Sequence, residues 1–143
     1  MSDAQLFQAA NTTALVCWIA LVVQPKRVAP LLRFVIPAAF AVLYIWALST
    51  APQNPDGGFG SLAQVKALFT SDRAVLAGWV HYLAFDLFIG CWEVIDSADR
   101  GINRWLVVPC LALTFMFGPV GLLLYLGLRL AHGARGATPS TAS

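Results

Sequence analysis

The chain has 143 residues, of which 59% are hydrophobic and only 11% charged, with a net charge of +2 at neutral pH. A soluble domain carries about a quarter charged residues, so that class is excluded. The nine Lys and Arg residues mostly mark the ends of apolar runs and form no basic stripe, which argues against a nucleic-acid partner.

Four apolar runs stand out: Leu6–Val23, Leu31–Thr50, Ala74–Ile95 and Trp105–Leu130. About 20 helical residues cross a hydrocarbon core roughly 30 Å thick, so each run reads as a membrane span. The expected fold is an all-α integral membrane protein. It has four transmembrane helices plus a short interfacial amphipathic helix between the second and third. Residues 1–130 form a single domain, and residues 131–143, rich in Ala, Gly, Ser and Thr, form a flexible tail. No basic segment precedes the first run and no small-residue cleavage pattern follows Val23, which argues against a removed signal peptide. The expected setting is a bacterial inner membrane, with the lipid bilayer as first partner.

Within the first run, Asn11, Thr12 and Thr13 are suited to hydrogen bonds with neighbouring helices. Pro25 then ends the helix, and Gln24-Pro25-Lys26-Arg27 forms a hairpin turn. Lys26, Arg27 and Arg33 crowd this turn, so the positive-inside rule places it in the cytoplasm and the N-terminus in the periplasm. With four spans, Arg100 and Arg104 share the cytoplasmic side, whereas Lys66, Arg73, Arg129 and Arg135 fall opposite. Pro37 lies early in the second run, where it kinks the helix or sits in its first turns.

The connection from Ser49 to Arg73 opens with turn residues, Pro52 to Gly60. Ser61 with Gln64 then makes a capping box, and Leu62, Val65, Leu68 and Phe69 recur on one face. A short amphipathic helix of this kind lies in the interface plane.

The third run, with an N-cap at Ser71 or Asp72, carries three ionisable residues, His81, Asp86 and Glu93. Asp86 falls near its centre, where a carboxylate costs about 2.5–3.5 kcal/mol on insertion scales. Such residues are usually buried against partners and functional. On the helical period Trp79, Tyr82, Asp86 and Glu93 share one stripe, and His81, Phe85, Phe88 and Trp92 an adjacent one. His81 and Asp86 point about 140° apart, too far to touch, though they could flank one pocket. Glu93 is expected near the far membrane face, within reach of headgroups.

A short charged loop, Asp96 to Arg104, is expected to close with local ion pairs. In the fourth run, Pro119 of Phe117-Gly118-Pro119-Val120-Gly121 cannot donate to the Phe115 carbonyl, so the helix kinks and that carbonyl needs another partner. By depth, one layer of the bundle could hold Asp86, His81, the Phe115 carbonyl and Asn11. Cys17, Cys91 and Cys110 follow no paired spacing and read as small hydrophobes. His81, Asp86 and Glu93 are too spread along the helix to hold a metal, and no cofactor is expected.

Taken together, Trp79-Val80-His81-Tyr82-Leu83-Ala84-Phe85-Asp86-Leu87-Phe88-Ile89-Gly90 and Phe117-Gly118-Pro119-Val120-Gly121-Leu122-Leu123 resemble the plant abscisic-acid-deficiency membrane proteins and their bacterial relatives. The resemblance covers roughly residues 6–130, including Phe7 to Asn11, the proline-ended hairpin and Gly60-Ser61-Leu62. The plant members are needed to make neoxanthin from violaxanthin. The resemblance thus implies an intramolecular rearrangement of a carotenoid epoxide into an allenic alcohol. That reaction needs an acid for the epoxide oxygen and a base for a polyene proton. Asp86 and His81 are residue types suited to those roles. Trp79, Tyr82, Phe85, Asn11, Phe115 and Pro119 are the candidate substrate lining. The expected substrate is a carotenoid or related apolar isoprenoid other than the plant one.

Two further readings stay open. The protein could bind pigment or lipid without chemistry, or serve as an assembly subunit of a membrane complex. It could also be a proton-coupled pore, for which a homo-oligomer would supply the symmetry that its two halves lack.

Overall fold

The computed structural model describes residues 1–136, and its regular elements are six helices. They are α1 (Asp3–Val23), α2 (Pro25–Thr50), α3 (Leu62–Leu68), α4 (Asp72–Asp99), α5 (Arg104–Phe117) and α6 (Pro119–Gly136). The tail expected from residue 131 begins inside α6, and residues 137–143 lie outside those described.

Three helices, α1, α2 and α4, are long and apolar enough to cross a membrane, not four. The chain starts at one membrane face, crosses in α1, and turns at Gln24 alone before α2 returns. Pro25 occupies the first turn of α2, where its missing N–H costs nothing, so this helix begins earlier than Leu31. After α3, helix α4 crosses again and ends at the second face, beside the α1–α2 turn.

The expected fourth span is instead a helical hairpin. Helix α5 has 14 residues, about 21 Å at 1.5 Å per residue, too short for the core. Gly118 ends it with φ of +49°, a conformation natural to glycine, and Pro119 starts α6. Helix α6 then folds back along α5. Gly121 lies against Thr114 so closely that a Cβ would collide with its backbone nitrogen. Further along, wholly buried Tyr125 packs edge-on against Trp92, and Arg129 reaches Asp96 at 2.9 Å. Arg129 therefore sits at the second face, beside Arg100 and not opposite it. An apolar run containing Gly-Pro fits a reversal as well as a kink; contacts far apart in sequence decide between them.

Helix α4 is the hub, flanked by α1, α2 and the hairpin. Lipid offers no hydrophobic drive for helix association, so small residues that permit close packing matter most. Ala10 and Ala14 of α1, and Ala29 and Ala47 of α2, are all buried. A Cβ at Gly90 would overlap the ring of Trp18 across the α1–α4 contact. The large side chains of α2, such as Leu31, Val42 and Ile45, point outward instead. Cys17, Cys91 and Cys110 are buried and unpaired, as small hydrophobes would be.

Both faces are locked by arginines. At the first, Arg73 donates to Asp3 at 2.6 Å and to Thr50 at 2.8 Å, and it stacks 4.5 Å over Trp46. This ties the ends of α1, α2 and α4 together. At the second, Asp96 accepts from Tyr125 at 2.6 Å and from both Arg100 and Arg129. The segment read as a charged loop from Asp96 thus begins within α4, and Asp96 makes a tertiary link rather than local pairs alone.

Ser71 caps α4, accepting from the Ala74 N–H at 3.3 Å. Ser61 caps α3 in the same way, but the reciprocal arm of the expected capping box moves. Gln64 takes the Gly60 N–H at 2.9 Å, not that of Ser61. Helix α3 buries none of its residues, and Leu62 projects from it.

Candidate functional site

Asp86 stands in the middle of the 28-residue α4. Its carboxylate meets the tip of the α5–α6 hairpin: a Cβ built on Gly118 would lie 3.2 and 3.4 Å from its two oxygens. The bare glycine is thus what lets the tip approach the acid. Tyr82, one turn earlier on α4, lies beside the same glycine and donates its hydroxyl to the Phe115 carbonyl at 3.4 Å. The carbonyl that Pro119 leaves unbonded has found its partner on another helix.

A further turn along, the Trp79 indole N–H donates to the Asn11 side-chain oxygen of α1 at 2.7 Å. Trp79 also packs on Tyr82 and on Phe7, with ring centroids 5.5 and 5.6 Å apart. Asn11, Trp79, Tyr82, Phe115, Gly118 and Asp86 therefore form one continuous surface. Helix α5 is too short to accompany α4 beyond this point, so Trp79 and Phe7 remain partly exposed toward lipid. The rings of Phe7, Trp79 and Tyr82 thus lead along this side of α4 to the Asp86 carboxyl. Asp86 Oδ2 is buried and has no hydrogen-bond partner.

His81 is elsewhere. It faces α2, stacked between Tyr44 and Phe85 at 5.6 and 4.7 Å. These residues line a cavity of about 500 Å³ with Pro37, Phe40 and Phe88, and its walls are almost wholly apolar. The layer expected to combine Asp86, His81, the Phe115 carbonyl and Asn11 thus forms without His81. Phe85 goes with His81 and not with Asp86. Pro119 follows Gly118 and shapes the tip by starting α6.

Glu93 departs most from expectation. Instead of reaching headgroups it is fully buried, because α4 continues to Asp99 and the hairpin covers it. Thr114 donates to one of its oxygens at 2.9 Å, while Oε2 has no partner. Glu93 lies two turns beyond Asp86 on the same stripe, so the 3.6-residue period put it on the right face. Its depth depended on where the helix ends. Among the described residues no three His, Cys, Asp or Glu side chains gather as metal ligands do.

Chemically, a half-buried carboxyl group at mid-depth, flanked by a phenol, is a group that can exchange a proton. Among curated proteins and solved structures, nothing is similar enough to this chain to count as a match. A family model does match, over residues 5–125, which takes in all but the first two residues of α1, the whole of α2 to α5, the hairpin tip, and Asn11, Trp79, Tyr82 and Asp86. On that match the chain belongs to the ABA DEFICIENT 4-like family.

Proposed function

We propose that the protein binds a carotenoid or a related apolar isoprenoid beside Asp86 and isomerises it by proton transfer. The observation that carries this reading is Asp86 Oδ2, buried without a partner where the hairpin tip comes close at Gly118. An unpaired polar atom at this depth is costly, and such residues in membrane helices generally serve a pathway or a reaction.

With His81 turned away, a single carboxyl group serves both steps. In its acid form Asp86 gives its proton to an epoxide oxygen as the C–O bond breaks. The resulting carboxylate takes a proton from the adjoining polyene carbon, and the electron pair released forms the new double bond. The acid is regenerated and no co-reactant is consumed. Trp79 and Phe7 hold the polyene, and the Tyr82 hydroxyl lies close enough to support the charge that develops.

The distribution of charge supports an orientation. With the hairpin returning to the second face, Lys26, Arg27, Arg100, Arg104 and Arg129 gather there, against Lys66 and Arg73 at the first. Under the positive-inside rule this charge bias favours a cytoplasmic second face and a periplasmic N-terminus in a bacterial inner membrane.

A second reading has its own support. The apolar cavity beside His81 is suited to holding a lipid or pigment without altering it. Expression in a host that makes defined carotenoid epoxides separates the two. A new isomer seen by chromatography and mass spectrometry, and lost in Asp86→Asn, supports catalysis. Pigment that co-purifies unchanged with both forms supports binding alone. An unaltered extract with no bound pigment removes carotenoids from both.

A further inference from the structure

At the second face, a cavity of about 560 Å³ opens between the α1–α2 turn and the α4–α5 turn. Lys26, Arg27 and Arg104 line it, and no acidic residue does. None of the three pairs with a carboxylate among the described residues, and Asp96 is committed to Arg100 and Arg129. Arg104 is nonetheless positioned. It donates to the Val22 carbonyl at 3.2 Å and stacks 4.9 Å over Trp105, which leaves further guanidinium N–H groups for an anion.

A second, apolar groove of about 280 Å³ lies between α1 and α5. It shares Val22, Val23, Val108 and Leu111 with the basic cavity, so the two adjoin. From there the groove climbs along α1 to Leu15, about 12 Å at the helical rise, and ends beside Trp18 and Phe115. A basic pocket at the membrane face beside an apolar groove running into the core matches an amphiphile with an anionic head and a long chain.

We infer that this is a binding site for an anionic phospholipid. Its phosphate sits among Lys26, Arg27 and Arg104, and one acyl chain lies in the α1–α5 groove. The Arg fork suits two phosphate oxygens, and a zwitterionic headgroup would bring a cation into a pocket that has no acid to meet it. The bound chain packs against Phe115 at the end of the groove, next to the hairpin tip. The site is independent of the reaction proposed above.

Native mass spectrometry of the detergent-purified full chain tests this, with phosphatidylglycerol, phosphatidylcholine of the same chains, and glycerol phosphate as probes. One phosphatidylglycerol should remain bound per chain where phosphatidylcholine is stripped. Lys26→Gln, Arg27→Gln and Arg104→Gln should each weaken it by about fivefold, the size expected for one basic residue at an anionic surface. All three side chains are exposed, so these variants should fold. Ala112→Trp, which fills the groove and leaves the basic residues intact, should also displace the lipid. Equal retention of both lipids, or no loss in the Gln variants, would overturn the site. Binding of glycerol phosphate as tight as that of the lipid would reduce it to a soluble-phosphate pocket and refute the role of the groove.

Discussion

Helix α4 presents His81 and Asp86 to different neighbours, and the two surroundings differ in kind. His81 lies on an aromatic shelf between Tyr44 and Phe85, beside an apolar cavity, and makes no hydrogen bond among the described residues. Asp86 lies where the opposing chain reverses at a glycine with positive φ, and where one carboxylate oxygen is sealed without a donor. Any aromatic ring would satisfy the first environment. The second is not explained by packing, because Tyr82 and Thr114 already serve the peptide groups of the reversal and leave the carboxyl oxygen without a partner. Titratable residues five apart on one helix can therefore sit in entirely different surroundings, and the neighbouring elements decide which.

The largest expected effect follows from that contrast. Asp86→Asn keeps the shape of the side chain and the approach of Gly118 but cannot cycle a proton, so conversion should fall by about 10²- to 10⁴-fold. Whole-cell carotenoid profiles measure this, with thermal unfolding of the purified variant as the control for folding. If conversion persists in the Asn variant, the Asp86 side is a binding surface and the contrast with His81 is one of packing only.

Much of this contrast was legible in the sequence. The 140° separation of His81 and Asp86 follows from the helical period, and the loss of the Phe115 carbonyl's usual donor follows from Pro119. The neighbour covering each face was not legible. Trp105–Leu130 has the length of a span, and Arg129 at its end resembles a charge that has crossed. The Gly121–Thr114 approach, Tyr125 against Trp92 and the Asp96–Arg129 pair reveal that the chain has turned back. The same reversal explains Glu93. Its stripe was correct, but its burial depends on a hairpin that composition cannot distinguish from a kinked helix. The first three spans were easier because each has the length and polarity that a crossing alone requires.

The hairpin provides the next tests, since it builds the Asp86 side and leaves the His81 side untouched. Gly121→Ala puts a methyl into the Thr114 backbone and should cost about 1–3 kcal/mol, as overpacking does, lowering the midpoint of thermal unfolding. Gly118→Ala adds strain of about 1–2 kcal/mol at positive φ and crowds the carboxylate. It should reduce conversion more than its loss of stability explains. Thr114→Val leaves the buried Glu93 oxygen without its donor, for about 1–3 kcal/mol. If the cavity beside His81 holds pigment, none of the three should alter that binding. If all three release it, the two sides of α4 are coupled and cannot be treated separately.

The smallest effect is expected at His81→Phe. The ring keeps its place between Tyr44 and Phe85, gives up no hydrogen bond among the described residues, and sits beside a cavity that is already apolar. Stability should stay within about 0.5 kcal/mol of the parent, the range of substitutions that disturb no special feature. Conversion should be unchanged, because the proposed proton cycle uses only the carboxyl on the other side. The measurement is informative because the substitution is so mild. A variant with parental unfolding behaviour but no conversion would locate the reaction in the His81 cavity. The unpaired oxygen of Asp86 would then need a structural explanation, such as holding the hairpin tip at its depth in the membrane.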